Sequence, residues 1–409
     1  MIDADWRQGR AVRGWLPKRF LAQTARSSDL ADPAAAFAAF QRRRDRAVAA
    51  ALERLVADLD VARVRVIAAQ AQLRSLGAGA ELDTVGGSVR ARHLVLAVGA
   101  KTSWPEWGQG LLDPAEALYG GKGPLPRRLV VIGGGYVATA QAALLRSFGV
   151  EVTLVLPEAE PLAGFDDDLR RLVGEGLAAR GVRLRPETEV LDVGRGEAGL
   201  EVRTTAGALV ADRVVLASEQ APRPLTAALG LERFGVRLAG DGAVQVDVRY
   251  AASVDGLYAI GDCSDHAGQG LSASTFDLGA VAACEGEAVA ERLFAATPPP
   301  PLDYDHVPLL IPGRPELAVV GLGEARARAL GFAVRAAVAR DDDEFVKLVV
   351  DAADGRILGC HLVGEGAGPL VQGLAMALGA GADLARLQRT VPVPHPLAEK
   401  LLALAKGLG

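Results

Sequence analysis

Along the first hundred residues, apolar positions recur first at a helical and then at a strand-like spacing. Residues 33–58 carry apolar side chains three and four apart, and Asp32 and Pro33 supply an N-cap followed by proline at the first helical position. This pattern predicts one long amphipathic helix. Short strands are predicted after it, at 64–69, 80–85 and 93–99. The last is a near-continuous apolar run ending in Gly99, which is typical of a buried parallel strand.

Residues 127–156 carry the clearest pattern in the chain. They predict a strand, a glycine turn, a helix and a second strand, at 129–132, 133–135, 136–148 and 151–156. These parts follow one another without spare residues, as in a βαβ unit of a parallel sheet. Gly133 permits the tight turn, Gly135 lets a pyrophosphate approach the backbone, and Ala138 allows close helix–strand packing. We therefore predict a dinucleotide-binding turn rather than a purely structural one.

The same unit leaves the choice of nicotinamide nucleotide open. An acidic residue that binds the ribose is expected at the end of the second strand, where this chain has Leu156. Glu158 follows two residues later, and residues 157–163 contain no arginine suited to a 2′-phosphate.

The remaining pattern predicts the end of this α/β domain and a further domain. A helix at 166–180 and later strands complete the α/β domain near residue 222. An apolar strand then runs into Gly261 and Asp262, and a helix follows through Glu285. The proline run at 297–301 predicts a stiff linker. Beyond it, a hairpin at 344–364 and helices at 367–380 and 396–407 predict an α+β domain over 302–409.

Composition narrows the class of protein. Half of the 409 residues are hydrophobic, and the net charge of −5 argues against a nucleic-acid partner. The three cysteines have no short spacing between them, which excludes a CxxC motif and a disulfide-stapled fold. No apolar run reaches the roughly 18 residues of a membrane helix. The expectation is a cytoplasmic, enzyme-sized protein without a membrane partner.

Taken together, the motifs resemble those of the FAD-dependent pyridine nucleotide–disulfide oxidoreductases, the group of glutathione reductase, dihydrolipoamide dehydrogenase and mercuric reductase. The matching segments occur in the family's order, at 97–99, 133–138, 256–262, 278–286, 302–308 and 355–364. The resemblance implies an α/β fold with two Rossmann-like FAD/NAD(P)-binding domains, the first incomplete, and a C-terminal α+β dimerisation domain. The implied domains are 1–125 and its return segment 223–297, then 126–222, then 302–409. It also implies FAD and NAD(P)H as cofactors and a homodimer.

Individual roles follow from the same resemblance. Asp262, after Gly261, would hold the ribityl chain of the flavin, and Gly99 would close the first domain. Asp3 would contact the adenosine ribose. Lys18, or its neighbour Arg19, matches the family lysine beside the flavin ring, although Ala140 stands where its glutamate partner is expected.

The C-terminal stretch 390–400 resembles the family segment whose His–Glu pair reaches the active site of the partner subunit as an acid–base pair. The implied residues are His395 and Glu399. Without gaps, however, Pro394 occupies the histidine position and His395 comes one residue late.

Two departures shape the functional prediction. The family's first strand–GxGxxG–helix is not found, so we expect a truncated gene model and weak FAD binding by the chain as written. Arg10 and Trp15 stand where the family has its two redox cysteines. The first hypothesis is an FAD-dependent NAD(P)H oxidoreductase with a non-disulfide acceptor, such as a quinone. The second is an inactive paralogue or fragment that keeps dimerisation and nucleotide binding.

Overall fold

The computed structural model describes residues 32–101, 103–114, 124–217, 223–266, 279–311, 315–341 and 344–408. The helices of this part of the chain are α1 (Pro33–Val61), α2 (Tyr136–Ser147), α3 (Asp167–Ala179), α4 (Gly279–Phe294), α5 (Glu324–Ala329), α6 (Ala367–Gly379), α7 (Leu384–Gln388) and α8 (Pro396–Gly407). The strands of the first half are β1 (Ala71–Leu76), β2 (Ala80–Thr84), β3 (Gly87–Ala91), β4 (Leu94–Leu96), β5 (Ala100–Lys101), β6 (Leu112–Pro114), β7 (Arg128–Ile132), β8 (Glu151–Val155), β9 (Arg183–Arg185), β10 (Val190–Gly196), β11 (Gly199–Thr204), β12 (Gly207–Ala211) and β13 (Arg213–Leu216). Those of the second half are β14 (Arg223–Pro224), β15 (Val244–Gln245), β16 (Leu257–Ala259), β17 (Ser264–Asp265), β18 (Leu309–Ile311), β19 (Leu317–Gly321), β20 (Val334–Arg340), β21 (Phe345–Asp351) and β22 (Ile357–Val363).

The described residues fall into two compact units. Unit 1 consists of residues 43–104 and 223–304, and unit 2 of residues 32–42, 105–217 and 305–408. Of the helices in the described ranges, none is both long enough and apolar enough to cross a lipid bilayer.

Unit 2 begins with a parallel sheet of five strands in the order β6-β13-β7-β8-β9. Its central strands are runs of valine, isoleucine and leucine that are buried on both faces, as expected for a parallel sheet covered by helices. Helix α2 connects β7 to β8 and packs its small apolar side chains against them. The predicted βαβ unit is therefore confirmed, and its helix ends one residue earlier than predicted.

The C-terminal part of unit 2 is an antiparallel sheet of five strands in the order β18-β19-β22-β21-β20. Strands β21 and β22 form the predicted hairpin, and every residue in both is buried. Helices α6 and α8 contribute leucines, alanines and a valine to the core on this sheet. The predicted α+β character of this region is thereby confirmed.

Unit 1 is built from small sheets. Strands β1, β2 and β3 form an antiparallel meander, and β4 pairs in parallel with β16. Their apolar side chains share one core. The predicted strand at 93–99 is confirmed over three residues, β4. The predicted strand at 64–69 is wrong, because within the described ranges this segment is largely exposed and makes only an isolated bridge at Ile67. An apolar run becomes a strand only where it has an edge to pair with.

Candidate functional site

A glycine turn in unit 2 joins β7 to α2. Gly133 has φ +123°, a conformation that favours glycine, and its N–H donates to the carbonyl of Val155 over 2.8 Å. Gly135 is the N-cap of α2 in extended conformation, and no side chain caps the helix. The first-turn N–H groups and the positive end of the helix dipole therefore suit a phosphate. Ala138 is completely buried, as close packing of the helix on the strands requires.

Glu158 places a carboxylate beside this turn. A Cβ added to Gly134 would lie 3.0 Å from Glu158 Oε2, so the carboxylate occupies the space that a side chain there would need. Oε2 is buried and has no hydrogen-bond partner among the residues that the structure describes. A buried carboxylate oxygen is costly unless a donor binds it, and the ribose hydroxyls of a dinucleotide are donors of that kind. The residues present at the turn thus fit a dinucleotide.

From the sequence it was open whether the Glu158 side chain reaches the ribose site. Strand β8 ends at Val155, and the conformation of the following loop decides where the side chain points. The next basic residue after the loop is Arg170. Its guanidinium donates to the carbonyls of Pro161 and Glu160, each over 3.1 Å. The guanidinium of Arg170 is therefore used to hold the loop backbone rather than directed at a 2′-phosphate.

In unit 1, a second turn presents Asp262. Strand β16 leads into a 3-10 turn, Gly261–Cys263, in which Gly261 has φ +64°. A Cβ on Gly261 would lie 3.0 Å from the Cβ of Ala282 on α4, so glycine is needed for this close approach. The Asp262 side chain is exposed, although the surrounding protein atoms and the nearby Glu285 carboxylate raise its pKa. An accessible carboxylate on such a turn fits a hydroxyl-rich ligand chain.

Glu285 of α4 holds that turn from inside the unit. It is 2% exposed, and its carboxylate accepts hydrogen bonds from the Gly261 N–H over 2.6 Å and from the Tyr304 hydroxyl over 2.7 Å. Nε2 of His266 lies 3.2 Å from Oε1. Burial alone would raise the pKa of Glu285, but the bonds from His266, Gly261 and Tyr304 outweigh it and the pKa is lowered. In the sequence, only the position of an acidic residue within an apolar helix indicates this role.

The other predicted positions are spread over both units. Gly99, in unit 1, has φ +68° and accepts a hydrogen bond from the Leu225 N–H over 2.9 Å. Ala140, which stands where the resemblance implies a glutamate, is buried within α2. The remaining predictions concern residues outside the described ranges: Asp3, Arg10, Trp15, Lys18 and Arg19.

The C-terminal pair is described in unit 2 but is not assembled there. His395 is the N-cap of α8 and half-buried, and its Nε2 lies 2.9 Å from where a Cβ on Gly366 would stand. Glu399 is exposed on the first turn of α8, and its N–H donates to the carbonyl of His395 over 3.0 Å. Within the described residues no hydrogen bond joins the two side chains. Their acid–base role stays a prediction.

The three cysteines, all in described ranges, are unpaired. Cys263 is buried with its thiol near the carbonyls of Leu96 and Ile260, and burial raises its pKa. Cys360 is fully buried, which raises its pKa to about 12, whereas Cys284 is exposed on α4. Across the ranges that the structure describes, no group of His, Cys, Asp and Glu side chains is arranged to hold a metal ion.

A glycine turn in a βαβ unit, a strand-end Asp turn and a C-terminal antiparallel domain are the features expected of a nucleotide-dependent oxidoreductase of the flavoprotein type. Comparison with known families is specific: residues 8–286 match the pyridine nucleotide-disulphide oxidoreductases, and residues 307–405 match the dimerisation domain of the same group. The chain belongs to the pyridine nucleotide-disulphide oxidoreductase family. Members of this family bind FAD and NAD(P)H.

Individual relatives agree with this assignment. Glutathione reductase of Burkholderia cepacia is 34% identical over 361 residues, which span 85% of this chain and 76% of the relative. Dihydrolipoyl dehydrogenase of Staphylococcus aureus is 29% identical, and the match spans 74% of this chain and 64% of the relative. The crystal structure of LpdA from Mycobacterium tuberculosis superposes with a TM-score of 0.85 at 25% identity, covering 100% of this chain and 93% of that one.

Proposed function

We propose that this protein is a homodimeric flavoprotein oxidoreductase that uses NADH, rather than NADPH, to reduce FAD and passes the electrons to a small non-disulfide acceptor. The observation that carries the proposal is the unpartnered carboxylate oxygen of Glu158 beside Gly134. A carboxylate there accepts hydrogen bonds from ribose hydroxyls and repels a 2′-phosphate.

Each described residue has a defined task in this proposal. The uncapped start of α2 binds the pyrophosphate of NADH, and Glu158 orients its adenosine ribose. Asp262, on the turn that Glu285 holds through the Gly261 N–H, binds the hydroxyl chain of the flavin. FAD and NADH supply the hydride chemistry when bound, and the protein supplies binding and orientation.

The cysteines support the proposed non-disulfide acceptor. Disulfide exchange needs a reactive thiolate, but Cys263 and Cys360 are buried with raised pKa values, and Cys284 is exposed without a second cysteine nearby in sequence. A quinone or a dye accepts electrons without a thiol. We also propose the predicted cytoplasmic location, a compartment in which thiols stay reduced.

The nucleotide part is tested by titrating the purified protein with NADH and NADPH and following the fluorescence of the reduced nicotinamide. We expect NADH to bind more tightly than NADPH. Glu158→Ala should raise the Kd for NADH about 10- to 100-fold, since hydrogen bonds to a charged group are lost. Glu160→Ala in the same loop is the matched control and should leave it unchanged. Tighter binding of NADPH, or equal effects of both substitutions, contradicts the proposal.

The acceptor part is tested with NADH, added FAD and a quinone or dye, before and after alkylation with iodoacetamide. We expect reduction of the acceptor that alkylation does not affect, and no reduction of glutathione disulfide or lipoamide. Nucleotide binding without any reduction favours the second candidate, an inactive paralogue. The replacement of the implied glutamate by Ala140 is the observation that supports this candidate.

The proposed dimer forms through the dimerisation domain at 307–405. Large apolar side chains of this domain are exposed in the single chain, among them Leu310, Met376, Val391 and Val393. A partner that covers them removes apolar surface from water. Light scattering should give twice the mass of one chain, and Val391→Glu with Val393→Glu should shift the equilibrium towards the monomer. A monomeric wild-type protein contradicts this part.

A further inference from the structure

A group of buried charged side chains joins the two parts of unit 2. Lys347 of β21 and His361 of β22 lie directly opposite each other in the hairpin register, and both are almost completely buried. They meet the start of α3, where Asp166 is the N-cap and is itself 3% exposed. The contact is close, because a Cβ added to Gly323 would lie 3.1 Å from the Cα of Asp166.

Lys347 is the centre of this group. Its Nζ lies 2.9 Å from Asp166, 2.7 Å from Asp168 and 2.8 Å from Glu324. Arg171 pairs with Asp168 over 2.9 Å, and Arg328 pairs with Glu324 over 2.5 Å, so positive groups also border the cluster. Burial opposes the charged form of Lys347, yet the hydrogen bonds that its ammonium group donates to the three carboxylates raise its pKa above the ordinary value.

Asp166 is also the last residue of the loop that carries Glu158. That loop is fixed at several points along its length. The Leu162 N–H donates to the Gly134 carbonyl over 2.7 Å, although Leu162 is fully buried with φ +56°, a conformation unfavourable for leucine. Arg170 holds the carbonyls of Pro161 and Glu160. At its C-terminal end, Asp166 accepts hydrogen bonds from the Lys347 ammonium and from the Glu324 N–H.

From this arrangement we infer that Lys347 is a positioning residue for nucleotide binding: by anchoring Asp166, it fixes the 156–166 loop so that Glu158 stays beside the glycine turn. The inference rests on the proposed binding of NADH at that turn. The C-terminal sheet would then influence the affinity for the nucleotide. Lys347 belongs to strand β21 of that sheet and acts on the loop only through Asp166. The strained Leu162 shows why an anchor is needed, since an unfavourable backbone conformation persists only where its surroundings hold it.

The test compares Lys347→Met with Lys400→Met. Lys400 of α8 also binds two carboxylates, Asp341 over 2.7 Å and Glu344, but it does not contact the loop. For Lys347→Met, we expect faster hydrogen exchange at the Leu162 amide and an NADH Kd raised about tenfold, within the usual range of coupling between distant sites. Lys400→Met should leave both unchanged. If Lys347→Met does not fold, Lys347→Arg is measured in the same way. Its larger planar guanidinium keeps the charge but does not fit the space of the ammonium, so we expect the same two changes, in the same direction.

The two readouts separate the two ideas. Unchanged exchange at the Leu162 amide in a folded Lys347 variant overturns the positioning role, whatever the nucleotide affinity. Faster exchange with an unchanged Kd also overturns it, because the loop would then move without affecting binding. If the wild-type protein does not bind NADH, the proposed function fails, and the exchange measurement still decides whether Lys347 holds the loop.

Discussion

Removal of the Glu285 carboxylate should destabilise the protein more than loss of almost any other single acidic side chain in unit 1. Glu285→Ala leaves the Gly261 N–H without its acceptor in a buried site. It also removes one of two partners from the Tyr304 hydroxyl and from His266 Nε2, which keep Tyr250 and Ser264, respectively. Each buried donor left unsatisfied costs about 1–3 kcal/mol. Part of this is offset, because the buried carboxylate no longer has to be desolvated. We expect a net loss of about 3–5 kcal/mol in the free energy of unfolding, similar to breaking a buried ion pair.

Glu285→Gln separates hydrogen bonding from charge. The amide keeps one acceptor oxygen, which can still bind the Gly261 N–H, but it presents an NH₂ group on the other side, where Tyr304 donates. The expected loss in the free energy of unfolding is about 1.5–3 kcal/mol, the contribution of one hydrogen bond to a charged group.

The assay is urea unfolding followed by circular dichroism, with Glu287→Ala as the control. Glu287 lies on the same helix but is exposed, so its substitution should change stability by no more than about 0.5 kcal/mol. The reasoning is refuted if Glu285→Ala and Glu287→Ala unfold at the same urea concentration. It is also refuted if Glu285→Gln is as damaging as Glu285→Ala, because the retained acceptor would then have no effect.

Three shorter predictions follow from the same geometry. Gly134→Ala should raise the Kd for NADH at least about tenfold in fluorescence titrations, because its methyl group meets the Glu158 carboxylate and shifts it. Ellman's reagent should modify one thiol rapidly in the native protein, Cys284, and all three only after denaturation; rapid modification of a second thiol speaks against the structure. The urea concentration at the midpoint of unfolding should fall as the pH is lowered from 7 towards 4, and it should not change between pH 7 and pH 8. The unfolded chain takes up protons at higher pH than the folded one wherever folding lowers a pKa, here that of His361 below 6.5, Glu324 below 4.5 and Asp166 below 3.8.

Local sequence patterns were sufficient to predict those helices, strands and turns whose main contacts are made with residues close by in the sequence. The strand, turn and helix of 127–156 follow from apolar periodicity and three glycines. The turn and the helix depend on contacts a few positions away, and the two strands of the unit pair with each other only 23 positions apart. The hairpin of β21 and β22 is of the same kind, with a turn at Asp354 and Gly355 between two apolar runs. The segment 64–69 has an equally good apolar pattern, but a strand also needs a pairing partner, and periodicity does not supply one.

The two charged clusters could not be predicted because their members are distant in sequence. Lys347 is 181 positions from Asp166, and nothing near either residue indicates the other. Glu285 is likewise 24 positions from Gly261 and 19 from Tyr304. From a single sequence, a lysine in an apolar strand or a glutamate in an apolar helix reads only as an irregularity in the pattern. The fold is what turns these irregularities into interactions.

Comparison of Glu158 with Glu285 shows how a ligand-binding carboxylate differs from a structural one in the same chain. Both follow an apolar stretch, and each has a carboxylate oxygen out of contact with solvent: Oε2 in half-buried Glu158, and the whole side chain in buried Glu285. Glu285 has hydrogen-bonding partners at both carboxylate oxygens, so the fold already satisfies them and its task is to hold the turn of Asp262. Glu158 has an oxygen with no donor among the described residues, next to a glycine that leaves room for it. Folded proteins satisfy nearly all buried polar atoms with a hydrogen bond. We therefore assign the missing donor for Glu158 to a ligand. The same argument assigns no ligand to Lys347, whose three carboxylates satisfy it completely, and it is why we place Lys347 behind the site rather than in it.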